Sequence, residues 1–194
     1  MTTESASSIP IDLDQVLDHA IRAAKLAGNI LVDRFGGLEP GEIQKKGATD
    51  FVTEVDTEAE NAIIEYIRGH YPEHSIFAEE SGTDAAQSDF QWLIDPLDGT
   101  KNYIHGLPNY AVSIGFSYGS EIVTSVIYIP PRDELFTAIK GKGAYLNDKP
   151  IHVSTASDFS SCMIVTGFPH ARREYLDVYL DCFKSLFLQV SAIR

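Results

Sequence analysis

One segment constrains this chain more than any other: Trp92–Thr100, an apolar strand that runs directly into two aspartates. Asp95 and Asp98 stand three residues apart, and Pro96 and Gly99 turn the chain beside them. Two carboxylates that are brought together without a counter-charge disfavour each other's charged forms. Their oxygens suit a hard divalent cation such as Mg²⁺, which prefers one or two carboxylates together with phosphate oxygens. The segment therefore predicts a cation site at the end of a buried strand, and the same residue types also suit an ordinary β-turn.

The composition is that of a globular protein whose net negative charge disfavours polyanionic partners. Of the 194 residues, 44% are hydrophobic and 22% are charged, which is too hydrophobic for a disordered chain. The formal net charge of −13 argues against a nucleic acid partner and against an anionic membrane surface. It does not argue against a phosphate ester as substrate, because bound metal ions reverse the sign of an acidic site.

The ends of the chain and its cysteines give further expectations. Residues 1–10 are rich in Ser and Thr and lack the features of a signal peptide, so we expect a mobile tail followed by a single domain over 11–194. Cys162 and Cys182 have no CxxC spacing, which argues against a disulfide framework or a zinc knuckle and favours a cytoplasmic location. An apolar run closes on Arg194 without a polar tail, so we expect the chain to stop within a fold.

Hydrophobic periodicity predicts a mixture of helices and short strands. Helices are predicted over 12–35, 57–70 and 171–187, the second of them capped by Thr57 and Glu60. Residues 42–55 alternate as a hairpin with its turn at 46–49. Further strands are predicted at 75–79, 92–95, 111–118, 122–129, 135–139, 144–146, 162–166 and 188–193. Those between 111 and 146 have the turn spacing of an antiparallel meander, and the whole order predicts an α+β fold.

Acidic side chains recur where the predicted strands end. The three groups are Asp50 with Glu54 and Asp56, Glu79 with Glu80, and Asp95 with Asp98. If these strand ends converge, they form a pocket able to hold two or three divalent ions and to activate a water molecule. Each group also has a structural interpretation. Asp56 suits the start of a helix, Glu79 and Glu80 suit a solvated loop, and Asp50 is interpreted as structural.

Gly99 and Thr100 add an anion-binding signal to the second aspartate. A glycine followed by a threonine at the start of a short helix leaves backbone N–H groups that bind phosphate well, and the Thr100 hydroxyl is placed to orient a water molecule. A plain helix cap is the alternative interpretation. The chain contains neither GxxxxGK[ST] nor GxSxG, so neither a P-loop NTPase nor a serine hydrolase is indicated.

Taken in order, these motifs resemble the inositol monophosphatase family. The resemblance is carried by Asp50–Asp56 (DFVTEVD), Ala78–Ser81 (AEES) and Trp92–Tyr103 (WLIDPLDGTKNY), and it extends to His105–Pro108, Ala111–Gly115 and Lys140–Ala144. It implies an α/β/α/β/α layered sandwich and Mg²⁺-dependent, Li⁺-sensitive hydrolysis of small phosphate monoesters. It also implies that a homodimer is possible.

The resemblance implies a set of metal ligands. Glu79, Asp95 and the backbone carbonyl of Leu97 would hold a first Mg²⁺. Asp95 and Asp98 would hold a second. Asp56 would contribute through water to a third ion.

The resemblance also implies the catalytic and substrate-binding roles. Thr100, hydrogen-bonded to Asp56, would orient the attacking water with the help of Glu79. The amides around Gly99 and Thr100 would bind the phosphate, and Lys46 would lie nearby as a positive group. The implied substrate contacts are Glu79, Leu97, Asp98, Gly99 and Thr100.

One family motif, Trp-Asp-x-Ala-Ala-Gly, does not occur. Trp92 is the single tryptophan, so we expect the C-terminal part of the family fold to be missing and the second metal site to lack one aspartate. The implied substrate is an inositol monophosphate. Leu97–Lys101 favours 3′-phosphoadenosine 5′-phosphate slightly, whereas Asn102–Tyr103 and His105–Pro108 favour inositol phosphates. The further alternatives are another sugar phosphate and a non-catalytic metal-binding or regulatory role.

Overall fold

The computed structural model describes residues 9–45, 51–83, 88–167 and 170–194. The chain forms two compact units, Met1–Gln44 with Phe51–Ile151 and Lys45–Asp50 with His152–Arg194. We call them the larger and the smaller unit. The expectation of a single domain over 11–194 stays a prediction. Among the described helices, none combines the length and the hydropathy that crossing a bilayer requires.

The first helix, α1, spans Leu13–Arg34, within one residue at each end of the predicted range. It begins where the Asp12 side chain accepts hydrogen bonds from the backbone N–H groups of Asp14 and Gln15, at 3.0 and 3.3 Å. Its buried face consists largely of small residues, which allow the backbone to approach the sheet closely. The buried residues are Val16, Ala20, Ala23, Ala24, Ala27, Gly28 and Leu31.

The second helix, α2, spans Glu54–His70 and begins three residues earlier than predicted. The capping residues are Thr53 and Asp56, so the prediction that Thr57 and Glu60 cap this helix is wrong. Both pairs have the Thr-x-x-acid spacing of a capping box. The first pair forms the cap because Thr53 is the last residue of the strand β2 (Phe51–Thr53) and has the extended backbone that a cap requires.

The hairpin before α2 is partly described. Strand β1, Ile43–Lys45, pairs with β2 in a two-stranded sheet. Its predicted turn at 46–49 lies outside the described residues.

A mixed sheet of eight strands forms the centre of the larger unit, in the order β10-β9-β8-β7-β6-β5-β3-β4. The strands are β3 Ser75–Ala78, β4 Gly82–Thr83, β5 Phe90–Asp98, β6 Ala111–Tyr118, β7 Glu121–Ile129, β8 Glu134–Ile139, β9 Gly143–Leu146 and β10 Lys149–Ile151. Successive strands from β5 to β10 pair antiparallel with one another, so the predicted meander is confirmed and extends further than predicted. Strand β3 runs parallel to β5.

Helices α1 and α2 pack against each other and against the central strands of this sheet. Between them lies a continuous apolar core that includes Leu31, Ile63, Trp92 and Phe116, all at most 1% exposed. Burial of this apolar surface is the main source of stability for the larger unit. It also fixes the strand ends from which the site is built.

The smaller unit contains a short parallel pair, β11 (Met163–Ile164) with β12 (Ala192–Ile193), and the helix α4, Leu176–Phe187. The helix predicted over 171–187 begins at 176 instead. The preceding 3₁₀ segment His170–Tyr175 contains a non-helical residue, Arg172, which interrupts the helical turns. A shorter helix, α3, spans Thr100–Ile104 in the larger unit.

Candidate active site

The acidic residues meet at one edge of the eight-stranded sheet. Because β3 and β5 are parallel neighbours, with Ala78 opposite Ile94, their carboxyl ends lie side by side. Glu79 directly follows β3, and its backbone N–H donates to the carbonyl of Ile94 at 3.0 Å. Asp95 is the next residue of β5, so sheet pairing alone brings the two carboxylates together.

The carboxyl groups of Glu79 and Asp95 lie close enough for a hydrogen bond with Glu79 to contribute to the pKa of Asp95. Burial raises the pKa of Asp95 to about 8, and the hydrogen bond and charge of Glu79 and the charge of Asp98 act in the same direction. A hydrogen bond between two carboxyl groups requires a shared proton. A cation bound between the two carboxyl groups offsets their mutual repulsion as the shared proton does, so the arrangement suits a metal ion.

A shift in strand register brings Asp98 into the same region. In a regular strand, residues three apart point to opposite faces. The pairing of β5 with β6 shifts between Asp95 and Asp98, a stretch that contains Pro96, which has no N–H to donate to the ladder. Leu97 is 1% exposed, and its N–H donates to Asp95 Oδ1 at 3.1 Å.

Asp56 connects the start of α2 to this edge. One carboxylate oxygen, Oδ2, accepts the backbone N–H and the hydroxyl of Thr53, at 2.9 and 2.6 Å. The other, Oδ1, lies 3.1 Å from Thr100 Oγ1, which also lies 3.1 Å from the carbonyl oxygen of Leu97. Asp56 therefore has both roles considered in the sequence, as a helix-capping residue and as a neighbour of Thr100.

The turn into α3 has the geometry of an anion-binding loop. Gly99 has φ of 102°, in the left-handed region, and a Cβ at this position would lie 2.9 Å from the carbonyl oxygen of Asn109. Glycine is therefore required both for the backbone conformation and for space. Among the described residues, no side-chain hydrogen bond caps the helix that begins at Thr100, which leaves its first N–H groups available to an anion.

Two residues from the sequence analysis lie outside the described part of the chain, Lys46 and Asp50. Glu54 is exposed in the first turn of α2. The strand-end residues that the structure does bring together are thus Glu79, Asp95 and Asp98, with Asp56 linked to them through Thr100 and Leu97.

The donor set fits Mg²⁺. Within the described ranges, no group of three or more His, Cys, Asp or Glu side chains forms a preformed metal centre. Mg²⁺ is usually held by only one or two carboxylates and completes its octahedral shell with water and substrate phosphate. The oxygen pair Glu79–Asp95 meets that requirement. The pair borders a groove of about 570 Å³ along the sheet, which otherwise has a mainly apolar lining.

Comparison with known proteins identifies the family. The model of the inositol monophosphatase family matches residues 12–187. The chain belongs to the inositol monophosphatase family. It is 39% identical over 183 residues to a protein of Aquifex aeolicus named fructose-1,6-bisphosphatase/inositol-1-monophosphatase, covering 94% of this chain and 69% of that protein. It is 42% identical over 180 residues to the Escherichia coli protein named Nus factor SuhB, covering 92% of this chain and 67% of that one.

Solved structures of the family share the fold. The extragenic suppressor protein suhB from Bartonella henselae superposes with a TM-score of 0.87 at 37% identity, covering 93% of this chain and 69% of that one. The inositol monophosphatase from Anabaena (Nostoc) sp. PCC 7120 gives 0.81 at 39% identity, covering 95% and 67%. The α+β fold of the inositol monophosphatase type is therefore confirmed.

Sequence reasoning missed one residue next to this site. Glu60 was interpreted as a helix cap, but its carboxylate receives the backbone of the loop that carries Glu79. The available signal was its spacing: Glu60 lies four residues after Asp56 and therefore on the same face of α2.

Proposed function

We propose that this protein hydrolyses small phosphate monoesters with Mg²⁺, with an inositol monophosphate as the leading substrate. The observation that carries the proposal is the closeness of the Glu79 carboxyl group to the partly buried carboxyl group of Asp95, beside the start of α3. Family membership supports a phosphatase. Acidic oxygens for a cation and amides for an anion lie next to each other, as the hydrolysis of a phosphate ester requires.

For the metal ligands, we propose the set that the family resemblance implies. Glu79, Asp95 and the carbonyl of Leu97 would hold a first ion, Asp95 and Asp98 a second, and Asp56 a third through water, giving two or three ions in all. When bound, Mg²⁺ lowers the pKa of a water molecule and neutralises charge on the phosphoryl oxygens. The remaining tasks belong to the side chains and the backbone.

Thr100 and Asp56 would orient the attacking water. A hydroxyl has one proton, and Asp56 Oδ1 at 3.1 Å is an acceptor for it. The lone pairs of Thr100 Oγ1 then accept a hydrogen bond from water. Because Asp56 is only 2% exposed and bonded to Thr53, this acceptor is held in place before substrate arrives. Glu79 would assist.

The phosphate would lie at the first amides of α3, with Gly99 and Thr100 as its main contacts. The remaining proposed substrate contacts are Glu79, Leu97 and Asp98. The names of the Aquifex and Anabaena relatives support an inositol phosphate and, for the first, fructose 1,6-bisphosphate. A panel that adds 3′-phosphoadenosine 5′-phosphate and histidinol phosphate separates these substrates.

The test is phosphate release from inositol 1-phosphate in the presence of MgCl₂. We expect measurable turnover in the wild type and a loss of at least about 100-fold in Asp95→Asn, because a direct ligand matters more than the outer-shell residues whose loss costs 10–100-fold. Asp33→Asn, an exposed aspartate on α1, is the matched control and should retain full activity. Equal rates in the Asp95→Asn and Asp33→Asn variants would refute the proposed site.

A second candidate is a non-catalytic regulatory role, which the match to relatives named Nus factor SuhB favours. Calorimetry with Mg²⁺ distinguishes the two functions. Metal binding without turnover of any ester in the panel supports the regulatory role, and turnover supports the phosphatase. The possible homodimer and the cytoplasmic location stay predictions.

A further inference from the structure

Glu60 is a buried acidic residue with an unusual pair of partners. It lies on α2 and is 2% exposed. Its Oε2 accepts the backbone N–H of Glu80 at 2.8 Å, and its Oε1 accepts the N–H of Ser81 at 2.9 Å. Both carboxylate oxygens are therefore directed at consecutive amides of the loop that follows β3.

This loop is held at three amides in succession. On the sheet side, the Glu79 N–H donates to the carbonyl of Ile94 in β5. On the helix side, Glu60 receives the next two amides. The position of the Glu79 backbone is therefore fixed relative to both β5 and α2. Asp95 belongs to β5, so the same contacts set the separation of the two carboxylates.

Stability alone does not account for a carboxylate at this place. Burying a charged group costs free energy that a few hydrogen bonds recover only in part. The partners of Glu60 belong to a loop near solvent rather than to the apolar core, since Ser81 is exposed and Glu80 is only partly buried. The gain is geometric: two charge-assisted hydrogen bonds restrict where the loop lies.

Glu60 also shares its helix face with Asp56. The two residues are four positions apart, one turn along α2, and each is 2% exposed. Asp56 contacts Thr53 and Thr100, whereas Glu60 contacts the loop after β3. The first two turns of α2 thus tie together the ends of three strands, β2, β3 and β5.

We infer that Glu60 is a positioning residue that holds Glu79 beside Asp95 and thereby sets the affinity of the site for Mg²⁺. The inference rests on the proposed function, because it takes Glu79 and Asp95 as cation ligands. Outer-shell groups that orient metal ligands commonly change affinity by about 10–100-fold when they are removed.

The test substitutes Glu60→Gln in the 194-residue protein and measures the Kd for Mg²⁺ by calorimetry. The amide side chain presents one oxygen to the loop and places its NH₂ group against the other N–H, where a donor faces a donor. We expect the Kd to rise by about 10–100-fold, within the outer-shell range. We also expect faster hydrogen exchange at the amides of Glu80 and Ser81. In turnover assays, the Mg²⁺ requirement should rise while KM for the ester at saturating Mg²⁺ stays unchanged.

Two further variants make the result decisive. Glu65→Gln makes the same chemical change at an exposed position of α2 and should leave Mg²⁺ affinity and amide exchange unchanged. Glu60→Asp keeps both acceptors but shortens their reach by one methylene, so an intermediate Kd is expected. If Glu60→Gln does not fold, Glu60→Asp decides the question.

The inference is overturned if a folded Glu60 variant binds Mg²⁺ as tightly as the wild type. If the wild type binds Mg²⁺ but hydrolyses no ester, the proposed function fails, whereas the role of Glu60 is still decided by the Kd values. If the wild type binds no Mg²⁺, both are refuted.

Discussion

Helices α1 and α4 have similar sequence patterns and very different surroundings. Both show apolar residues at helical spacing. In the larger unit, α1 buries seven residues against the sheet and α2, including Leu31, which is 0% exposed. In the smaller unit, every residue of α4 is described and none is buried; Leu180, for example, is 47% exposed. Periodicity thus predicts a helix in both places, whereas burial depends on which elements pack against it.

Comparing the two helices allows the effect of packing on stability to be measured separately from that of local helix propensity. The candidate site is built entirely on the larger unit, on strand ends and helix starts held by a close-packed core. Substitutions on α1 should therefore be costly where they disturb packing, and those on α4 should be mild. Three pairs of substitutions test this contrast.

The largest effect is expected for Leu31→Ala. Removing a fully buried leucine leaves a cavity in the core and should lower the free energy of unfolding by about 2–5 kcal/mol. Leu180→Ala, the matched change on α4, should cost less than about 0.5 kcal/mol because its side chain is exposed. Urea unfolding is followed by the fluorescence of Trp92, which reports the larger unit, and by circular dichroism, which reports both units. Similar losses for the two variants would contradict the contrast.

A smaller effect is expected from Gly28→Ala on the buried face of α1. A Cβ there would lie 2.6 Å from Tyr128 Cε1, so the ring or the helix must shift, and overpacking of this kind costs about 1–3 kcal/mol. Gly69→Ala is the control: it lies in α2 with no atom within 4 Å of the new methyl group, and it should stabilise by up to about 1 kcal/mol. The opposite signs are measured by thermal unfolding. Stabilisation by Gly28→Ala would mean that α1 does not approach the sheet this closely.

The smallest effect is expected at the start of α1. Asp12→Ala removes the acceptor for the Asp14 and Gln15 amides and should cost about 1 kcal/mol. Asp12→Asn keeps an acceptor and should cost only a fraction of that amount. The start of α4 already lacks a side-chain cap, so Asp12→Ala makes the two helix starts alike. A loss as small as that of the Asn variant, measured by urea unfolding, would show that this cap is dispensable.

Much of the fold could be predicted from the sequence because its determinants are local. The bounds of α1 follow from Asp12 and a long apolar stripe, and the meander follows from regularly spaced turn residues. The end of β5 was harder, because Pro96 suggests a break, whereas the strand continues through a shift in register to Asp98. The start of α4 also differed, because a non-helical residue interrupts a segment with uniform helical periodicity.

The candidate site could likewise be predicted where its determinants are local and not where they are distant in the sequence. The sequence places carboxylates at strand ends, whereas their closeness depends on the parallel pairing of β3 with β5, which brings Glu79 to Asp95. The start of α2 was misplaced because two overlapping capping patterns compete, and only the extended backbone of Thr53 decides between them. The contacts of Glu60 were missed for a related reason. They join residues 20 and 21 positions apart, and no local pattern reports such a separation.

The two sets of contacts made by Asp56 have an evolutionary consequence. One of its oxygens accepts the hydrogen bond from Thr53 that caps α2, and the other contacts the Thr100 hydroxyl that is proposed to orient the attacking water. A substitution of Asp56 that changes the orientation of this hydroxyl also removes the cap from the first turn of α2. Selection for a new activity and selection for stable folding therefore act on the same carboxylate. Under the proposed function, changes in substrate range are then easier to accumulate at residues that would contact the alcohol portion of the ester than at this hydrogen bond.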